Sequence, residues 1–481
     1  MRFLLDTNIL IPAEPTSTAN VEVTTPVVTR LIGLLAAAKF SAFIHPSSVQ
    51  ELLGDRDTSR RDLRQQLLAK YETLPAPPPV TESLHQQLGA PQPGTNNAVD
   101  NELIAAVERN AVNYLVTNDD GIHRKLDRIN LSHRGLYPSD AIGLVRGLAP
   151  QEISPPPAVR KGLCHELNRE DTIFDTLRAD YDGFNTWLEK CQLNHREVFI
   201  VNVDNRVAGI AIIKDESEEH SDRVLKICCF KVAETSRGLK FGELLLKSVF
   251  DYCISQGFNR TYCTCFPKQT QLLSMLADFG FYTLPQDISD ELIVEKRFAP
   301  TENAKSISPL DFHIEFGPRL IQPTDEIFVV PIEPRYHQML FPDMEEQQSF
   351  FAGETPFGNS MRKAYLCHSP SKSLSPGAIL LFYRSDDYRN IQTVGVTESW
   401  IRSTNPTEII EFVGQRTVYS KSAIEQMAES EILAILFRYA TVDVRITYDD
   451  LIDNGCLAGR PQSITKIKPN GVEWIQHQLG M

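Results

Sequence analysis

A chain of 481 residues is too long for a single hydrophobic core, and about three domains are expected. Its 42% hydrophobic and 23% charged residues are ordinary for a globular protein, and no apolar run approaches the roughly 20 residues that span a bilayer, which argues against a membrane span. A net charge of −14 excludes a protein that coats nucleic acid indiscriminately, although the first 150 residues are close to neutral, with 14 basic and 16 acidic side chains.

The first segment opens on a strand-like FLLD with no basic, apolar leader, so a cytoplasmic location is expected. It then alternates helix and strand: TPVVTRLIGLLAAAK as a helix, SAFIHP as a strand and SVQELLG as a helix. A proline-rich stretch at 74–94 reads as a surface loop between helices, and NELIAAVERN (helix), YLVTND (strand) and DGIHRKLDRI (helix) follow. Such alternation predicts a parallel α/β sheet with crossover helices.

Four acidic residues of this segment stand near element ends: Asp6 in FLLDTNIL, Glu51 in SSVQELLGD, Asp100 in NNAVDNELIAAV and Asp119 in YLVTNDDG. Carboxylates gathered at the carboxyl edge of an open sheet repel one another unless a divalent cation neutralises them. The pattern points to Mg2+ or Mn2+, whose open positions serve phosphodiester hydrolysis. Each residue also has a local explanation. Ser48 to Glu51 has capping-box spacing, Asp100 can cap a helix, and Asp119-Asp120-Gly121 can be a turn. A solvent-facing helix explains His123 and Arg124 as well as contact with a phosphate does.

Together, LLDTNIL, the helix-borne Glu51, the Asp100 helix with its IAA and LVTND resemble the PIN domain over residues 1–148. That family is a Mg2+- or Mn2+-dependent ribonuclease fold. The resemblance implies that Asp6, Glu51, Asp100 and Asp119 are metal ligands and catalytic residues. Asp6 and Asp119 would be central, Glu51 and Asp100 would approach from helix N-termini, and Asn8 and Thr117 would donate hydrogen bonds to them.

After a proline-rich linker at 148–160, a second segment (160–300) reads as strands REVFIVN, RVAGIAIIKD and RVLKICCFKVAE, then a basic loop and a long helix in SRGLKFGELLLKSVFDYCISQG. RTYCTCF (strand), QLLSMLADFG (helix) and ELIVEKRF (strand) complete it. ETSRGLKFGELLL and DFGFYTL resemble the acyl-CoA loop and the following Gly-Phe segment of the GNAT acetyltransferases, which implies a mixed sheet with helices. Arg237, Gly238, Leu239, Lys240, Phe241 and Gly242 would then bind the pyrophosphate of acetyl-CoA through backbone N–H groups, the helix dipole and the Arg237 charge. Two positions depart from the family: Lys240 replaces the middle glycine, and Leu276 stands where a tyrosine often serves as general acid. Glu234 is a candidate general base or an exposed acidic residue. Nine cysteines, an odd count, point to reduced thiols, with Cys263 and Cys265 on one face of a strand as buried core thiols.

Beyond a second linker at 298–309, the third segment (310–481) is mostly strands: DEIFVVPI, KAYLCHS, GAILLFYRS, QTVGVTESW, AILFRYA and DVRITYDDL, with a helix near SAIEQMAE. A β-barrel is expected. NSMRKAYLCHS, SPGAILLFYRS, IQTVGVTESW and RPQSITKI resemble the PUA-like ASCH/EVE superfamily, which implies binding of RNA or modified bases. Arg362, Lys363 and Arg460 are candidate phosphate contacts, with Ser385, Trp400 and Ser463 beside them; core packing explains Trp400 equally well.

The leading expectation is a metal-dependent endoribonuclease of toxin-like or RNA-processing type, joined to an acetyl-CoA-binding module and an RNA-recognition module. Expected partners are RNA, with transfer RNA among the candidates, acyl-CoA, and an antitoxin or a second copy of the chain; no membrane is expected. One rival makes the chemistry acetylation of tRNA, aminoacyl-tRNA or protein, with the first segment regulatory. Another treats all three modules as a non-enzymatic RNA-binding scaffold.

Overall fold

The computed structural model describes residues 1–16, 21–54, 58–92, 94–148, 159–203, 206–285, 290–301, 304, 306–341, 360–371, 374–385 and 389–481. They fall into two compact units: Met1–Pro150 with Asn405–Gln415, and Gln151–Thr404 with Arg416–Met481. The linker expected at 148–160 lies almost wholly outside the described residues.

The first unit is built on β1 (Arg2–Leu5), β2 (Ser41–Ile44), β3 (Glu72–Thr73), β4 (Tyr114–Val116) and β5 (Gly135–Leu136), in the order β3-β2-β1-β4-β5. Every adjacent pair is parallel. Phe3, Leu4 and Leu5 are all fully buried, so β1 is covered on both faces, as a parallel sheet requires. The helices are α1 (Thr7–Ala13), α2 (Thr25–Ala37), α3 (Pro46–Leu53), α4 (Thr58–Leu68), α5 (Glu82–Leu88), α6 (Asn96–Glu108), α7 (Asp120–Arg128) and α8 (Pro138–Leu148).

The proline-rich stretch at 74–94 differs from the surface loop expected there. It carries α5 and buries Leu74 and Leu84, and Thr81 starts the helix by accepting from the Leu84 N–H. The helix Pro406–Val413 also belongs to this unit, where Glu411 accepts from Asn113 Nδ2 at 2.8 Å.

The second unit holds two sheets. The first consists of β6 (Val159–Leu163), β7 (Glu197–Val203), β8 (Arg206–Asp215), β9 (Val224–Val232), β10 (Arg260–Cys265), β11 (Tyr282–Thr283) and β12 (Leu292–Arg297), in the order β11-β12-β10-β9-β8-β7-β6. Only β9 and β10 run parallel. Its helices are α9 (Asp175–Asp180), α10 (Phe184–Leu193), α11 (Phe241–Gln256) and α12 (Thr270–Asp278).

Alternation along β7 divides the core. Phe199 and Val201 pack with Leu245, Val249 and Phe250 of α11, and Val198 and Ile200 pack with Leu188 and Cys191 of α10. Cys263 and Cys265 share the α11 side, and all nine cysteines are free thiols.

α13 (Pro309–Phe316) precedes the last sheet, which contains β13 (Ile327–Ile332), β14 (Arg362–Cys367), β15 (Ile379–Arg384), β16 (Asn390–Ser403), β17 (Ile432–Ala440), β18 (Ile446–Thr447) and β19 (Thr465–Lys466). The order is β14-β17-β16-β15-β13-β19, with β18 on β16. The expected closed barrel is not formed among the described residues, because β14 and β19 stand at opposite ends. β19 pairs over only two residues with β13, too short a ladder for closure. DVRITYDDL is likewise a strand only at Ile446–Thr447, because Thr447 and Asp450 form a capping box that turns Tyr448–Asp453 into a helix.

Candidate functional site

In the second unit one parallel ladder stops short of the ends of its strands. β10 pairs with β9 from Arg260–Val224 to Cys263–Ile227, and there the pairing ends. β9 continues to Val232 against β8, and Cys228 is an extra residue between Ile227, opposite Ile213, and Cys229, opposite Ile212. This bulge bends β9 away from β10 just where the ladder stops. Two parallel strands that part at their carboxyl ends free backbone polar groups from the ladder, and the space between them is a candidate slot.

The loop after β9 lies at the head of this slot. Its backbone is set by a short turn at Glu234–Ser236, by Gly238 at φ +79° and by Lys240 at φ +59°, the last residue before α11. Leu239 and Phe241 are buried in the core and pin the loop from below. Lys240 therefore adopts the left-handed conformation that a glycine would take without strain.

Not all of Arg237 to Gly242 present their N–H groups, as had been expected. The N–H groups of Arg237 and Leu239 make long turn contacts of 3.4 Å within the loop, to Glu234 and Ser236. The first N–H to reach back to Lys240 is that of Leu244 at 3.1 Å. The N–H groups of Phe241, Gly242 and Glu243 thus form the open, partly positive end of a helix 16 residues long. Gly242 is small for packing: a Cβ there would stand 2.8 Å from Met275 Sδ of α12.

Glu234 is not free to act as a base. It accepts from Arg237 Nη2 at 2.7 Å and lies 3.4 Å from Lys231 Nζ, which also donates to Thr176 Oγ1 at 2.6 Å. Leu276 is a core residue.

Tyr181, which sequence reasoning missed, is stacked at 4.9 Å on Phe266, just past the end of β10, and its hydroxyl bonds to Glu291. Burial, then the Glu291 charge, raises its pKa, so it keeps its proton at neutral pH. No spacing rule links Tyr181, Phe266 and Glu291, which come from three separate elements.

In the first unit the four carboxylates are only partly gathered. Asp6 caps α1 and accepts from Thr7 N–H at 2.6 Å, Asn8 Nδ2 at 2.7 Å and Thr117 Oγ1 at 2.7 Å, so Asn8 and Thr117 take the donor roles expected of them. Burial and the charge of Asp100 raise its pKa against these bonds; Glu51 is raised by burial, then by Asp6 and Asp100.

Glu51 and Asp100 are not at helix starts. His45 rather than Ser48 caps α3, so no capping box forms, and α6 begins at Asn96, which leaves Asp100 inside the helix. Asp100 is paired with Lys125 at 2.9 Å. Asp119 caps α7, its Oδ1 accepting from Gly121 N–H at 2.6 Å. His123 is stacked on Tyr137 at 3.9 Å and bonds to the Thr117 carbonyl at 3.1 Å, which commits it to packing. Among the described residues, no three His, Cys, Asp or Glu side chains form a set able to hold a metal.

In the last sheet, Arg362 is held in a buried ion cluster, with Glu398 at 2.8 and 3.1 Å and Asp278 at 2.7 Å, and is no open phosphate contact. Lys363 is buried over the Phe341 ring, and Trp400 donates its indole N–H to the Leu374 carbonyl. Arg460 is exposed and donates to the Ser385 carbonyl; Ser463 accepts from Thr465 through its own carbonyl. Among the described residues, no helix is long and apolar enough to cross a membrane.

No curated protein matches the chain. Three solved structures to which it is similar are the ASCH protein of Zymomonas mobilis (14% identity, 32% of this chain and 96% of that one, TM-score 0.24), a GNAT family acetyltransferase from Elizabethkingia anophelis with acetyl-CoA bound (14%, 29% and 97%, 0.23) and the Campylobacter jejuni N-acetyltransferase PseH in complex with acetyl coenzyme A (15%, 30% and 100%, 0.23). The model of the acetyltransferase (GNAT) family matches residues 162–281, the stretch that contains the parted strands and the loop before α11. Residues 162–281 are a GNAT acetyltransferase domain.

Proposed function

We propose that this protein is an N-acetyltransferase that takes acetyl-CoA at the loop before α11 and passes the acetyl group to an amine in the slot between β9 and β10. The observation that carries the reading is the coincidence of three features: the end of pairing at Ile227–Cys263, the bulge at Cys228, and the left-handed Lys240 leading into α11. The residues present suit a pyrophosphate, since the first-turn N–H groups have no helical partners and Lys240 adds a cation beside them. When bound, acetyl-CoA would supply a thioester whose carbonyl carbon bonds to the amine nitrogen as the C–S bond breaks, the proton lost by the nitrogen balancing the one gained by the thiolate.

Around that step the chain orients and moves protons. The β9 backbone beyond Cys228 lines the slot with peptide groups, and Leu239 and Phe241 hold the loop rigid beneath the cofactor. To Tyr181, which stands beside Phe266 at the end of β10, we assign the proton passed to the departing thiolate, a role that Leu276 cannot fill. Labelled acetyl-CoA incubated with transfer RNA, protein and small-amine fractions tests the reading. Tyr181→Phe should lower kcat by about a hundredfold with little change in the KM for acetyl-CoA. Absence of transfer to every fraction would refute it.

A second reading concerns the first unit: a Mg2+- or Mn2+-dependent ribonuclease acting on RNA. It rests on the shared neighbourhood of Asp6, Glu51 and Asp100, each of which raises or is raised by another. The side chains as arranged do not fit a cation, since Lys125 occupies Asp100 and no three acidic, His or Cys side chains among the described residues form a ligand set. The reading therefore requires Lys125 to release Asp100. Calorimetric titration with Mn2+ tests this: binding that Asp6→Asn abolishes supports it, and no binding to the wild type ends it.

A further inference from the structure

The first turn of α11 is tied to the last sheet. Glu243, its third residue, is 6% exposed, and its carboxylate accepts from the Met361 N–H at 3.0 Å and lies 2.7 Å from Ser360 Oγ, at the entry to β14. The Ser360 hydroxyl also meets the Arg362 carbonyl at 2.6 Å, so its single proton serves two acceptors and the Met361 N–H is the constant donor. The same carboxylate stands 3.5 Å from Lys240 Nζ. Burial alone would raise its pKa, but Lys240, Ser360, Arg416 and Arg362 together hold it below the usual range, so it is an anion at neutral pH.

The left-handed conformation strains a residue such as Lys240, because its Cβ crowds the following carbonyl oxygen. No side chain caps α11 at this point, so the helix start supplies no compensating cap. An ion pair to a carboxylate three residues on offsets the strain only if that carboxylate is itself fixed. Ser360 and Met361, more than 100 residues away in sequence, fix it.

We propose that Glu243 is a positioning residue through which the last sheet holds Lys240, and with it the anion-binding turn, in the left-handed form. The proposal rests on the acetyl-CoA reading above, and it makes the two sheets of the second unit one cofactor-binding device.

Calorimetric titration of the full chain with coenzyme A separates the two claims. If the wild type does not bind, the acetyl-CoA reading falls and this proposal with it. If it binds, Glu243→Gln should weaken affinity about tenfold and Ser360→Ala about threefold. In a Lys240→Gly background, where glycine takes the positive φ unaided, the effect of Glu243→Gln should shrink to within about twofold. A merely structural Glu243 would cost as much in either background. Wild-type affinity in Glu243→Gln, or an undiminished loss in the Lys240→Gly background, overturns the proposal. Should Glu243→Gln fail to fold, Ser360→Ala in the two backgrounds decides by the same comparison.

Discussion

Lys296 donates from its ammonium to the Glu315 carbonyl at 2.9 Å, and the Ile314 carbonyl lies 3.1 Å away. A cation is favoured at this C-terminal end of α13, but the side chain is buried over the rings of Phe250 and Phe298. Burial, with Arg438 adding to it, pushes the pKa down to about 7. The contact joins β12 to the helix that precedes the last sheet, so its proton is linked to the integrity of the second unit.

The unfolded chain keeps that proton up to about pH 10.4, whereas the folded chain releases it near pH 7. Between these values the unfolded state binds more protons, so stability rises as the pH is raised from 7 toward 10. Urea unfolding at pH 7 and pH 9 should show a higher midpoint at pH 9, and Lys296→Met should flatten the difference. An equal rise in the variant would exclude Lys296 as the source.

Glu398 gives the acid side. Burial would raise its pKa, but Arg362 and Arg438 outweigh it and hold it at about 2. This folded value is depressed, so its stabilisation is complete above the ordinary carboxylate range and is lost as the pH falls from about 4.3 toward 2. Glu398→Gln leaves the buried Arg438 without its carboxylate and Arg362 with Asp278 alone, and should destabilise the unit by roughly 3–5 kcal/mol at pH 7. A denaturation midpoint within error of wild type would contradict the account.

Gly280 has φ +79°, and a Cβ there would come within 2.0 Å of the Ile314 carbonyl oxygen. That carbonyl also accepts from Lys296. Gly280→Ala should therefore cost at least about 2 kcal/mol, from conformational strain and the displaced carbonyl. In the Lys296→Met background the same substitution should cost less, since one of the two disturbed contacts is already gone. Additive losses would show that the two residues act independently.

Burial, then the charges of Asp6 and Asp100, raise the pKa of Glu51, so its ionised form opposes folding of the first unit. Glu51→Gln should raise the melting temperature of that unit at pH 7, and the gain should vanish as the pH falls below about 4, where the carboxyl is protonated in both states. A pH-independent gain would point to packing instead of charge.

The main strands were legible because their residues declare themselves locally. FLL, SAFI and YLV became β1, β2 and β4, and the runs RVAGIAIIKD and RVLKICCFKV became β8 and β9 almost residue for residue. The loop before α11 was legible too, from Gly238 and Gly242 in a basic stretch. The roles of its residues were less so. Gly242 packs on Met275, Glu234 is consumed by Arg237 and Lys231, and Lys240 holds the strained conformation. The carboxylates of the first unit stand out in the sequence, but Lys125 pairs with one of them and the Gly121 N–H bonds to another, and neither contact has a signature in spacing.

By itself the sequence determined the alternation of elements, the three sheets and the presence of a helix whose open N-terminus follows a glycine-containing basic loop. These follow from side-chain periodicity and backbone preference, which act over a few residues. The tertiary structure alone decided that β9 and β10 part at Cys228, that Tyr181 reaches the end of β10, that the last sheet stays open, and that Ser360 and Met361 grip Glu243. Each of these depends on pairing or burial between residues tens to more than a hundred positions apart, where the partner's identity is set by packing and leaves no local trace.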